Sequence, residues 1–171
     1  MTRRIHLLTA LIVMTLYIVG CNYDKKEKAA ALDARIGGIN DTLLLHGKAW
    51  GDELKISVNT LDFTQLGTVR TKMQGYIDAR IDEVGQLEHV GGSEELVQTE
   101  LEFLETERNI VENRFSAFEQ FDDSVTMDEL TEAYAQIQIS AEKEQALLKK
   151  LQSLREQYAD KNGFPKYIDK Y

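Results

Sequence analysis

The stretch TMDELTEAYAQIQISAEKEQALLKKLQSLREQYADKNGFP, Thr126 to Pro165, holds the start, body and stop of one helix. Thr126 and Glu129 form a T-x-x-E capping box, in which each residue satisfies a backbone amide of the other. Asn162-Gly163 followed by Pro165 is a helix stop. Between them, apolar residues recur at steps of three, four or seven: Leu130, Tyr134, Ile137, Ala141, Leu148, Leu151 and Tyr158. The stretch therefore predicts an amphipathic helix over 126–162.

Three more segments upstream share this pattern, over about 29–60, 63–90 and 93–122. No proline precedes Pro165, which favours helix throughout. The first predicted stripe is Leu32, Ile36, Ile39, Leu43, His46, Trp50 and Leu54. The second is Leu66, Val69, Met73, Tyr76, Ile77, Ile81, Val84 and Leu87. The third is Val97, Leu101, Leu104, Val111, Phe115 and Phe118, with Arg108 at one of its steps. Each stripe predicts one buried helix face.

The segment borders carry turn and cap signals. Asp62 and Gln65 are a candidate capping pair for the second helix. Gly91-Gly92 is expected to end that helix, and Ser93 to cap the third. A kink or a close helix contact is expected near Gly47.

These segments predict an all-α protein, an antiparallel up-down-up-down four-helix bundle over 29–163 that follows a cleaved signal peptide. Short turns force neighbouring helices to run antiparallel. The alternative is a longer two-helix coiled coil that dimerises, which Gly91-Gly92 and the turn at Asp122 disfavour.

The N-terminus has the features of a secretory signal. Residues 1–20 contain Arg3 and Arg4, no acidic residue, and an apolar run over 7–19 that is short for a membrane span. Ile18-Val19-Gly20-Cys21 resembles the lipobox of bacterial lipoproteins. An uncleaved signal anchor with an incidental cysteine is the alternative.

The lipobox resemblance implies cleavage between Gly20 and Cys21, with a diacylglyceryl group on the thiol and commonly a further acyl chain such as palmitate on the new amino group. Several acyl chains hold a protein stably to a membrane. Residues 21–28 are then a polar tether, and Asn22 favours the outer membrane. The expected location is the cell envelope, on the periplasmic face or the cell surface.

Charge and cysteine content exclude several classes of function. After the signal is removed, 18 basic and 29 acidic residues remain, a net charge of −11, so nucleic acid is an unsuitable partner. Cys21 is the only cysteine, so neither an intramolecular disulfide nor a cysteine-based zinc site is possible.

Motifs for catalysis or cofactors are missing from the sequence. Neither His46 nor His89 follows a Glu-x-x spacing, so the di-iron pattern of helical bundles is absent. No haem motif, phosphate loop or nucleophile motif occurs. The glutamates of the third segment (Glu100, Glu102, Glu105, Glu107 and Glu112) are expected to face several directions as solvated residues. We therefore predict neither an enzyme nor a cofactor or metal.

Trp50, Arg108 and the C-terminal tail are the remaining unusual features. Trp50 is expected in the core, and Arg108 is expected to pair with a carboxylate or extend to solvent. The tail 164–171 either folds back on the bundle or presents Phe164, Tyr167 and Tyr171 as a partner-binding surface.

The lipobox, four helical segments and the closing QYADKNGF resemble uncharacterised all-helical bacterial surface lipoproteins. The resemblance implies a non-enzymatic, membrane-anchored protein that binds an unidentified envelope component or external ligand. A periplasmic chaperone or assembly factor, and a cofactor or metal protein with a site in the bundle, are the alternatives.

Overall fold

The computed structural model describes the backbone of residues 2–167 and the side chains of residues 24–167. Its α-helices are α1 (Thr2–Thr60), α2 (Leu66–Val84), α3 (Glu94–Ile110) and α4 (Met127–Asn162). The described part of the chain contains no β-strand, which confirms the all-α prediction.

The predicted third helix changes its winding partway along. A π-helical turn, Val111–Phe115, follows α3, and a 3₁₀ turn, Ser116–Gln120, follows that. The altered winding places the Phe115 ring flat on Trp50, with centroids 3.7 Å apart. Phe118 is fully buried beside the same indole. The prediction of one regular helix over 93–122 is therefore wrong after Ile110.

The start and stop of α4 match the sequence signals. The Thr126 hydroxyl accepts a hydrogen bond from the Glu129 amide, and the Glu129 carboxylate accepts one from the Thr126 amide at 2.8 Å. Gly163 ends the helix with φ at 70°, a left-handed conformation that glycine adopts without strain. The capping box and the stop are both confirmed.

The predicted caps of α2 and α3 are wrong in detail. Asp62 accepts hydrogen bonds from the amide and hydroxyl of Thr64, at 3.0 and 2.7 Å, and α2 begins after Gln65 with no side-chain cap. Ser93 does precede α3, but its hydroxyl accepts from the Val90 amide. Both side chains form hydrogen bonds within the turn that precedes the helix. Short polar side chains commonly bond to nearby backbone in this way, in competition with helix capping.

Helix α2 ends at Val84, earlier than its stripe suggested. Gly91 and Gly92, with φ of 64° and 81°, lie in the connection to α3 and do not end α2. They leave room for α4, because a Cβ on Gly91 would lie 2.3 Å from the Asn162 side chain.

The core has two apolar clusters. The larger draws on all four helices. The smaller contains Trp50, Leu54, Phe63, Leu66, Phe118 and Leu130. The predicted α1 stripe is buried at every position except His46, which is partly buried against the Tyr76 ring. Helix α1 is continuous through Gly47, and the near contact there is the tip of Met73, 4.0 Å from where a Cβ would lie.

The predicted stripe of α4 is buried only near its two ends. Leu130, Leu151 and Tyr158 are buried, whereas Tyr134, Ala141 and Leu148 are exposed. The other helices therefore do not cover the predicted stripe in the middle of α4.

The described part of the predicted tether, residues 24–28, is exposed. Helix α1 passes through 21–28, its residues 24–28 are exposed, and burial begins at Ala29. Among the residues with described side chains, no helix is long and apolar enough to cross a bilayer. The side chains of the predicted lipobox, Gly20 and Cys21 included, lie outside the described residues.

Candidate functional site

A cleft of about 490 Å³ opens beside the middle of α4, between that helix, α1 and α3. Its walls are mainly apolar and include Leu43, Met73, Phe103, Ile110, Phe115 and Leu151. Concave, mostly apolar spaces with a few polar groups are the usual form of small-molecule sites.

One face of α4 forms the solvent side of the cleft. Ile137, Ala141, Glu144 and Leu148 line it at helical spacing. Ala141 and Leu148 are the residues that the stripe assigned to the core. They face the cleft because the other helices do not close over them.

Glu107 brings a buried carboxyl group to this cleft from α3. The residue is only 5% exposed, and its Oε1 has no hydrogen-bond partner among the described residues. Burial, and then the charge and hydrogen bond of Glu144, raise the pKa of Glu107 to about 9. Glu107 therefore keeps its proton at neutral pH, because a buried carboxyl group beside another carboxyl group is costly to ionise.

Glu100 is a second buried carboxyl group, seven residues earlier on the same face of α3. Its Oε2 accepts a hydrogen bond from Asn40 Nδ2 at 3.1 Å, and its Oε1 has no described partner. Burial raises the pKa of Glu100 to about 7, although the Asn40 hydrogen bond and the charge of Arg155 oppose the shift.

Asn40 and Arg155 are two further polar residues that line the cleft. Asn40 Oδ1 is buried without a described partner. The Arg155 guanidinium donates to both carboxylate oxygens of Asp33, at 2.9 and 3.3 Å, and both side chains are largely buried. The unpartnered buried atoms of Asn40 and Glu107 are thus hydrogen-bond acceptors, whereas the guanidinium is already paired.

Sequence reasoning missed Glu100 and Glu107, which were expected in solvent. A signal was present, because Val97, Glu100, Leu104, Glu107 and Val111 recur at steps of three and four. This row is the buried one. The predicted stripe included Leu101 and Arg108, one position further on, because charged residues are almost never fully buried.

Trp50 is buried in the core, whereas Arg108 lies partly exposed at the surface. Trp50 is 4% exposed in the smaller core cluster, as expected, and its Nε1 has no described partner. Arg108 is partly exposed, pairs with Glu105, and lies 3.9 Å from Asp78 of α2. Its side chain is thus paired at the surface, one of the two expected outcomes.

The C-terminal tail folds back as far as the structure describes it. Phe164 is buried and its ring packs edge-on against Tyr158, so it belongs to the core and offers no free surface to a partner. Tyr167 donates a hydrogen bond to Asp41 at 2.7 Å, and the Arg155 guanidinium lies over its ring. Tyr171 lies outside the described residues.

Comparisons with known proteins add no assignment to this site. No protein-family model, curated protein or solved structure matches the chain. Among the described side chains, no group of three or more His, Cys, Asp or Glu residues is arranged to hold a metal ion. The site is therefore interpreted from its own geometry.

Proposed function

We propose that the protein is a lipid-anchored envelope protein whose helical domain binds a small ligand in the cleft between α1, α3 and α4. One observation carries the binding role: an apolar cleft with a buried carboxyl group whose Oε1 atom accepts no hydrogen bond from a donor among the described residues. A buried acceptor without a partner costs about 1–3 kcal/mol, and a ligand that supplies a donor removes that cost.

The proposed architecture is the antiparallel up-down-up-down bundle. Contacts of α1 with α2, α2 with α3, α3 with α4, and α4 with α1 support a closed ring of neighbours. Asp33, early in the buried part of α1, pairs with Arg155, late in α4. The Tyr158 hydroxyl also donates to the Val90 carbonyl, before the start of α3. Both pairings suit helices that run in opposite directions.

The anchor in this proposal is lipid on Cys21, in the outer membrane. The exposed residues 24–28 would separate the lipid from the first buried residue, Ala29. A binding role is preferred over catalysis because the sequence carries no motif for nucleophilic chemistry. The partner is then a ligand of the cleft, from the envelope or from outside the cell.

Trp50 provides the test of the cleft. It is the only tryptophan, and it stacks on Phe115, which lines the cleft. The full chain in phosphatidylcholine nanodiscs would be titrated with three compounds of one skeleton: 4-phenylbutylamine, 4-phenylbutanol and 4-phenylbutyrate. We expect at least one to change Trp50 fluorescence saturably.

Two substitutions of alanine by phenylalanine on α4 make the test specific. Ala141→Phe places a ring in the cleft and is expected to abolish the saturable change. Ala146→Phe adds the same ring at an exposed position that does not line the cleft, and is expected to leave it intact. A response to none of the compounds, or an equal response in both variants, would overturn the binding role.

A further inference from the structure

We propose that the cleft recognises a free organic amine: its protonated amino group lies between Glu107 and Glu144, and its apolar body lies against Phe103, Ile110 and Leu148. This inference rests on the proposed function of the cleft and names the class of ligand.

The first argument is the kind of polar atom that the cleft leaves unsatisfied. Glu107 Oε1 and Asn40 Oδ1 are both buried oxygens that accept no hydrogen bond from a donor among the described residues. The Asn40 amide is oriented by its NH₂ group, which donates to Glu100. A ligand that satisfies these atoms must bring donors, and an ammonium group brings three.

The second argument is charge. Glu107 and Glu144 are two carboxyl groups on facing helices, α3 and α4. The other charged residues of the walls are Asp41 on α1 and Lys149 and Arg155 on α4, whereas α2 contributes only Met73. Arg155 is paired with Asp33, and Glu100 lies seven residues from Glu107 on α3. Because Lys149 is exposed, the carboxyl groups of Glu107 and Glu144 are the charged groups that a cationic ligand meets inside the cleft.

The third argument separates an organic amine from a metal ion. Calcium requires six to eight oxygen ligands, and magnesium demands near-octahedral geometry. No group of three metal-ligating side chains occurs in the described part of the chain. The cleft is also much larger than a bare ion needs, at about 490 Å³, and its walls are mainly apolar. An amine with an aliphatic or aromatic body uses both the carboxyl pair and these walls.

The Trp50 titration tests this class of ligand in phosphatidylcholine nanodiscs, whose lipid has no primary amine. We expect 4-phenylbutylamine to bind about tenfold more tightly than 4-phenylbutanol at pH 7.5, a difference typical of one charge-assisted contact. We expect 4-phenylbutyrate to bind more weakly than the alcohol. The affinity for the amine should rise from pH 6 to pH 9, because Glu107 must release its proton to pair with the ammonium group, while the affinity for the alcohol stays constant.

A matched pair of double variants isolates the carboxyl groups. Glu107→Gln/Glu144→Gln keeps their shape and should bring the amine-to-alcohol preference close to one. Glu102→Gln/Glu142→Gln makes the same two substitutions at exposed positions of α3 and α4 that do not line the cleft, and should keep the preference. The pH dependence of the unmodified protein gives a second readout if the first variant folds poorly.

The outcomes distinguish this inference from the proposed function. Saturable binding of the alcohol and the amine with equal affinity, or an amine affinity independent of pH, overturns the amine assignment and leaves the binding role. Absence of saturable binding for all three compounds overturns both.

Discussion

At the scale of single residues, Glu107 is tolerated in the core because it can keep its proton. A buried charged carboxylate is costly unless it is paired, and the nearest partner of Glu107 is another carboxyl group, Glu144. A proton on Glu107 lowers that cost at neutral pH. It also makes stability depend on pH in a defined direction.

Glu107 should make the protein less stable as pH rises. Its pKa is about 9 in the folded state against an ordinary value of 4.5, so between these values the folded state binds a proton that the unfolded state does not. The free energy of unfolding then falls with pH, at about 1.4 kcal/mol per pH unit for one such group. Glu100, with a pKa of about 7, contributes in the same direction below pH 7.

The window from pH 7 to pH 9 isolates Glu107. Urea unfolding across this window should show the decline in the unmodified protein and in Glu102→Gln, an exposed control. It should be largely absent in Glu107→Gln, whose amide does not titrate. An equal decline in all three proteins would assign it to other groups.

At the scale of elements, the tail docks on α1 through a glycine. A Cβ on Gly37 would lie 2.6 Å from both the Tyr167 ring and the Arg155 guanidinium, so one of these groups must move if a side chain is added. Gly38, the next residue, has nothing within 4 Å of its Cβ position. The two glycines thus form a matched pair for substitution.

Alanine at the two positions should have different effects. Gly38→Ala should raise the free energy of unfolding by about 0.5–1 kcal/mol, the usual gain for alanine inside a helix. Gly37→Ala should not raise the free energy of unfolding, because its Cβ collides with the Tyr167 ring, and it should break the hydrogen bond from Tyr167 to Asp41. Urea unfolding measures the first effect, and protease cleavage near residue 167 measures the second. Equal stabilisation by both substitutions would contradict the docked position of the tail.

The elements themselves were largely predictable, and their errors have physical causes. The start and stop of α4 follow from Thr126, Glu129 and Gly163, whose roles are local. The caps at Asp62 and Ser93 failed because short polar side chains can serve either the helix or the turn before it. The π-helical turn at Val111–Phe115 depends on tertiary contacts such as the Trp50 stack, which no local pattern contains.

The site was less predictable than the helices. The apolar spacing of α4 predicts that Ala141 and Leu148 are buried, but both are exposed. Spacing alone cannot show whether a neighbouring helix covers them. The buried glutamates of the site were read as surface, because their charge outweighed their position in a regular row with Leu104. The two errors fall on opposite sides of the same cleft.

At the scale of the whole molecule, we propose that lipid on Cys21 anchors an acidic helical domain to the membrane. In a Cys21→Ser variant, the thiol proposed to receive the lipid is absent, so the protein should lose incorporation of labelled palmitate and keep its unprocessed size. The unmodified protein should incorporate the label and migrate as the shorter form. Label retained after Cys21→Ser would contradict the proposed anchor.

The most direct test of the central claim is an experimentally determined structure of the protein with 4-phenylbutylamine. We expect the amine nitrogen to lie within about 3 Å of Glu107 Oε1, beside Glu144, and the phenyl ring to lie between α3 and α4. A structure at saturating amine in which the cleft is empty, or is filled by the protein's own side chains, would contradict it.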